Sequence, residues 1–110
     1  MKTLKLTIWE RLQLIQCIPA QDTVANIRRH LRLMDRLELS EDEKAEAGFV
    51  VLPDGSARWD ARAGAVERAI DFEDADFDHL VSLVQRRNNW PTAQDILTLI
   101  DKIEQAQKGE

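Results

Sequence analysis

Leu6 to Pro19 reads LTIWERLQLIQCIP. Thr7 and Glu10 have the S/T-x-x-E spacing of a capping box, in which each side chain bonds the other residue's backbone N–H. Ile8, Leu12 and Ile15 follow at helical intervals. A cap, a run apolar on more than one face, and the stop at Pro19 predict a short helix from about Thr7 to Cys17, mostly buried. It marks the centre of a compact domain and holds no positioned catalytic group.

Working outward, Lys2 to Leu6 alternates polar and apolar residues and predicts a short edge strand. Beyond Pro19, Asp22 or Thr23 can cap a second helix reaching about Glu38. Val24, Ile27, Leu31 and Met34 keep a 3-4-3 spacing along it, and Leu33 and Leu37 widen the stripe. Ser40 and Glu43 form another capping box, opening a short helix that Gly48 can close in the left-handed conformation. Phe49 to Leu52 is β-prone, Pro53-Asp54-Gly55 is a turn signal, and Ala57 to Asp60 returns as a second strand. Residues 61–64 read as a loop. Val66, Ile70 and Phe72 suggest a third strand.

Two helices close the chain. Phe77, Leu80, Val81 and Val84 form an i, i+3, i+4, i+7 stripe, with Asp74 or Asp76 as cap and Asn88 or Asn89 as stop. Trp90 precedes Pro91 and is extended. Thr92 with Asp95 is a third capping-box-like start, and Ile96, Leu97, Ile100 and Ile103 carry the last helix to about Gln105. Residues 106–110 are expected to fray. The sum is an α+β single domain over 1–110: about five short helices, with a small antiparallel hairpin or three-stranded sheet inserted mid-chain.

Composition narrows the function classes. The 110 residues suffice for one core, and 44% of them are apolar. The net charge of −5 disfavours non-specific binding to nucleic acid or anionic lipid, which reward positive charge. Charge is unevenly spread: residues 1–39 carry seven Lys/Arg against four Asp/Glu, and residues 40–110 carry eight against sixteen. A basic surface and an acidic one are expected. No apolar run approaches the ~20 residues that span a bilayer. Glu10 and Arg11 interrupt what would otherwise be the apolar region of a signal peptide. A single cysteine, Cys17, forms no intrachain disulfide, so the cytoplasm is the default compartment.

LTIWERLQLIQCIP, Ile27 and Leu31, the capped LELSEDEKAEAG segment, Arg58-Trp59-Asp60 after a turn, Ile70-Asp71-Phe72 and the closing helix pair together resemble a family of small phage and prophage proteins of unknown function. The likeness covers most of the chain, and its motifs are structural ones: helix starts, a turn and core positions. The arginine-rich second helix and the NNWPT connection depart from the pattern. The resemblance implies a phage or prophage setting and transfers no catalytic residue.

Two charged clusters are candidate partner surfaces. Arg28, Arg32 and Arg36 repeat every four residues as one ridge on the second helix, with Arg29 alongside. Such a ridge grips phosphates or an acidic partner, or else is a solvated face paired with the protein's own acids. Asp71, Glu73, Asp74, Asp76 and Asp78 place five acids in eight residues. Asp74-x-Asp76-x-Asp78 imitates the start of an EF-hand loop, but His79 stands where the glycine belongs and Gln85 where the bidentate glutamate belongs. The segment is either a phosphate mimic or a set of acids favoured at a helix N-terminus. His30 and His79 belong to no metal-ligand spacing, so no metal and no cofactor is expected. Cys17 reads as a structural thiol, and Trp9, Trp59 and Trp90 as core or core-edge residues.

The expected function is therefore non-enzymatic: a phage or prophage accessory protein that contacts a host or virion protein. The basic helix face is the first candidate surface and the acidic segment the second. Self-association is open, because short amphipathic helices leave apolar surface. One alternative is an acidic mimic that occupies a host protein's DNA or RNA site. Another is a nucleic-acid binder using the Arg28/Arg32/Arg36 ridge.

Overall fold

In the computed structural model, which describes residues 1–109, strand β1 (Lys2–Leu6) leads through Thr7 into helix α1 (Ile8–Ile15). The Thr7 hydroxyl accepts from the Glu10 amide at 3.2 Å, and the Glu10 carboxylate accepts from the Thr7 amide at 2.9 Å. That reciprocal cap stabilises the helix start by about 1 kcal/mol. The same Glu10 oxygen accepts from Lys102 Nζ at 2.6 Å, tying the start of α1 to the last helix.

Helix α2 (Val24–Leu37) follows, capped by the Thr23 hydroxyl, and α3 (Glu41–Ala47) opens on the Ser40–Glu43 box. Gly48 closes α3 at φ +62°, where a side chain would be strained. Strands β2 (Val50–Val51) and β3 (Ala57–Arg58) form the expected hairpin, braced by Phe49 stacked on Trp59 with ring centroids 6.0 Å apart.

Residues 61–64, read as a loop, are instead the short helix α4 (Ala61–Gly64), started by the Asp60 carboxylate accepting from the Ala63 amide. The helix count among the described residues is accordingly six. The third strand is β4 (Arg68–Phe72), and it joins β1 rather than the hairpin: Lys2 faces Phe72 and Leu4 faces Ile70 in antiparallel register. The sheet is therefore two separate two-stranded ribbons. The pairing follows from burial, because Leu4, Leu6 and Phe72 enter the core together, whereas Val50, Val51 and Val66 stay exposed.

Helices α5 (Asp74–Arg86) and α6 (Gln94–Lys108) complete the chain. Neither starts as expected. Glu73 stands at the N-cap of α5, which puts Asp74 and Asp76 inside its first turn, and Ala93 stands at the N-cap of α6, so the Thr92–Asp95 box does not form. Residues 106–108, expected to fray, are helical, and the Ala106 carbonyl accepts from Lys2 Nζ at 2.9 Å. Glu110, in the same expected tail, lies outside the described residues.

The main core collects Leu4 and Leu6 of β1, Leu14 of α1, Leu33 and Leu37 of α2, Phe72 of β4, and the inner faces of α5 and α6. Ile8, Leu39 and Ala47 form a second, smaller cluster beneath Leu12, Phe49, Trp59 and Ala63. All three tryptophans are half-buried, and Trp59 and Trp90 pack against the edges of the two core clusters. No helix is long and apolar enough to cross a membrane among the described residues.

Candidate functional site

Helix α2 positions the site, and its orientation differs from the expected one. Of the apolar stripe read along it, Val24, Ile27 and Leu31 point out, at 69%, 38% and 59% exposed, Met34 is half-buried, and only the widening positions Leu33 and Leu37 are buried. The buried positions are His30, Leu33 and Leu37, a second stripe roughly 120° round the helix. No residue of α2 before His30 is buried, so its N-terminal half overhangs the core. Leu33 and Leu37 meet the main core cluster, while His30 is held by polar partners.

Those partners form a chain across α2 and α5. The Asp22 carboxylate accepts from the Thr23 amide at 2.7 Å and the Asn26 amide nitrogen at 3.0 Å, and its other oxygen lies 3.0 Å from His30 Nε2. His30 Nδ1 is 3.0 Å from His79 Nε2, and the two rings stack with centroids 5.0 Å apart. A carboxylate only accepts, so His30 Nε2 carries the proton and donates to Asp22. In the neutral pair, His30 Nδ1 then accepts from His79 Nε2–H, leaving His79 Nδ1 without a hydrogen. The bonds from Asn26, His30 and Thr23 hold the Asp22 carboxyl down at about 2.

His79 is shifted below its ordinary value, first by partial burial and then by the positive fields of His30, Arg29 and Arg86, against a smaller opposing pull from Asp76. A histidine with a lowered folded-state value binds fewer protons folded than unfolded. Its contribution to stability is thus complete above about pH 6.5 and is lost as pH falls below it. The melting midpoint should therefore drop between pH 7 and pH 5.5. Scanning calorimetry of His79→Gln should show a flatter profile over that window. Asp22 titrates below pH 4, outside it.

The two charged clusters nominated separately meet along this seam. Arg32 Nε donates to Asp76 Oδ1 at 3.1 Å, and Asp76 is 7% exposed. Arg36 shares a recess with Arg32, Asp35, Glu73 and Asp76. Asp74 pairs with the Met1 amine at 2.8 Å, and Asp78 lies at the rim of a cleft between α2 and α5. That cleft, of about 490 Å³, is also lined by Arg29, Arg86 and Ser82. Arg28 sits apart, exposed on the outer face beside Val24 and Leu31.

Comparison with protein-family models, curated proteins and solved structures finds no match. The site thus rests on its own geometry. Among the described residues, no group of three or more His, Cys, Asp or Glu is placed to hold a metal ion. Cys17 lies just past α1, buried, with its thiol directed to the Gln13 carbonyl and 4.0 Å from Arg87 Nη1. Burial pushes that thiol up more than Arg87 pulls it down, so it stays protonated near neutral pH.

The histidine pair escaped sequence reasoning because its members are 49 positions apart. One signal was present: His30, Leu33 and Leu37 keep an i, i+3, i+7 spacing. A histidine on an apolar face needs a polar partner from another element.

Proposed function

We propose that this chain is a non-enzymatic accessory protein that works by protein–protein contact in the host cytoplasm, in the phage or prophage setting its sequence resemblance implies. The observation that carries the contact role is the outward stripe of α2, where Val24, Ile27 and Leu31 are exposed side by side. Isolated apolar residues on a surface are ordinary, whereas three on one helix face form a patch of the kind partners cover. Anchors at i, i+3 and i+7 suit a helix laid in an apolar groove, and Arg28 beside them favours an acidic rim on a host or virion protein.

This shifts the contact surface from the arginine ridge to the adjoining apolar stripe, because Arg32 is already engaged by Asp76. The acidic-mimic alternative has less support. Asp76 faces Arg32 and Asp74 faces the terminal amine, so the three aspartates do not form an open row. A nucleic-acid grip loses Arg32 in the same way.

Ile27→Asp combined with Leu31→Asp should leave the melting temperature within about 2 °C, since both side chains are exposed. It should also abolish retention of partners seen with the wild-type chain in affinity purification and mass spectrometry. Recovery of the same proteins with both forms would overturn the contact surface. If size-exclusion chromatography shows a wild-type dimer that the double variant lacks, the stripe's occupant is a second copy.

A further inference from the structure

We propose that the cleft between α2 and α5 binds a small dianionic oxyanion, phosphate or a phosphate monoester, between Arg29 and Arg86 beside His79. The cleft is distinct from the outward stripe: Arg29 lies roughly 160° round α2 from both Ile27 and Leu31.

The charges of the cleft are unequally committed. From α2 and its cap, Asp22, Arg29, His30 and Arg32 face His79; from α5 itself, Asp76, Asp78 and Arg86 do. Asp22 is taken up by His30, Asn26 and the Thr23 amide, and Asp76 by Arg32. Asp22's partners are neutral, so its charge still counts: Arg29, Arg32 and Arg86 balance Asp22, Asp76 and Asp78 before His79 titrates. With Arg32 held by Asp76, it is Arg29 and Arg86 that remain to meet a ligand. Both arginines are exposed side chains whose fields reach the His79 ring. Guanidinium groups are the side chains best shaped for tetrahedral oxyanions, and Ser82 and Asn26 add neutral hydrogen-bonding groups to the lining.

The histidine chain supplies the net positive charge. With His79 Nε2–H donating to His30, a proton taken from solvent goes to His79 Nδ1. The ring then becomes a cation with a new donor, and the cleft gains a net positive charge beside its two guanidinium groups, which favours an oxyanion. Asp22 anchors the far end of the chain and keeps its own charge throughout. Oxyanion binding and proton uptake at His79 are thereby linked, each favouring the other.

The test is an NMR titration of the His79 ring at pH 6.0 with sulfate, which remains a dianion at that pH, with sodium chloride at matched ionic strength as the reference. Inorganic phosphate and phenyl phosphate form two further arms, and the tighter of the two identifies the free anion or the monoester as the natural source. Sulfate should shift the His79 signals saturably and raise the ring's titration midpoint. Arg29→Gln and Arg86→Gln should each weaken binding about tenfold, as expected for losing one charge-assisted contact. Arg62→Gln, on α4 and outside the cleft, should bind as the wild type does. Equal shifts with chloride, or undiminished sulfate binding in both cleft variants, would overturn the proposal. Because those variants are on the surface, a fold check by circular dichroism separates loss of binding from loss of structure.

Discussion

Arg11→Ala is expected to lower the unfolding free energy by about 3–5 kcal/mol, the range for removing one partner of a buried charged pair. Arg11 is 2% exposed and sits on α1, yet its guanidinium serves two other helices. Its Nε donates to the Leu37 carbonyl at 2.9 Å and its Nη2 to the Glu38 carbonyl, closing the C-terminal end of α2. Its Nη1 donates to Glu43 Oε2 at 2.6 Å, inside the capping box that starts α3. The last carbonyls of a helix have no partner within the helix, so truncation strands two of them and leaves Glu43 with the Ser40 amide and a longer Arg68 contact at 3.6 Å. Arg11→Lys keeps the charge but lacks the planar fork, and should recover only part of the loss.

Urea unfolding followed by circular dichroism measures this directly. A loss below about 1 kcal/mol, the worth of one ordinary hydrogen bond, would show that the network is dispensable. A pH series adds an independent check. Burial raises Glu43, but the bonds from Arg11 and Ser40 outweigh it and hold the carboxyl below its ordinary value. The stability it contributes is complete above about pH 4.5 and is lost as pH falls through the lowered value. In Arg11→Ala that acid-side slope should shrink.

Phe72→Ala should cost a similar amount, about 3–5 kcal/mol, by a different route. Phe72 is fully buried on β4, opposite Lys2 of β1, with its ring tilted against Phe77 of α5 at a centroid distance of 6.4 Å. Its removal opens a cavity where the β1–β4 ribbon meets α5. The surroundings are a strand pair and a helix already in van der Waals contact, which relax only partly. For a domain of this size the melting temperature should fall by roughly 15 °C or more. Phe72→Leu should restore much of it, since shape rather than chemistry is at stake. A melting temperature within a few degrees of the wild type would mean that the ribbon does not depend on this ring.

Features set by a few neighbouring residues were legible in the sequence. The Thr7–Glu10 and Ser40–Glu43 boxes span three positions and formed as read, as did the Gly48 closure and the 50–58 hairpin. The Thr92–Asp95 pair has similar spacing and did not form a box, because helix α6 begins one residue too late to use Thr92 as its cap. The β1–β4 pairing was not legible, since Leu4 and Ile70 are 66 positions apart and either ribbon partner satisfies the same alternation. Of the candidate site, both charged clusters were visible, but their mutual engagement through Arg32 and Asp76 was not. Pairing across 44 positions leaves no local trace.

Helix α2 shows where the division lies. Its sequence alone determined that a helix capped by Asp22 or Thr23 runs to about Glu38, and that it carries leucines and isoleucine on more than one face; the structure has Thr23 as the cap and Leu37 as the last helical residue. It did not determine which face turns inward, because the Val24–Ile27–Leu31–Met34 and His30–Leu33–Leu37 stripes both have helical spacing. Tertiary structure decided for the second. Leu33 and Leu37 reach the main core, and Asp22 and His79 satisfy both nitrogens of His30, a condition no single helix can meet. Val24, Ile27 and Leu31 were left outside, and the exposed surface on which a partner can act follows from that choice.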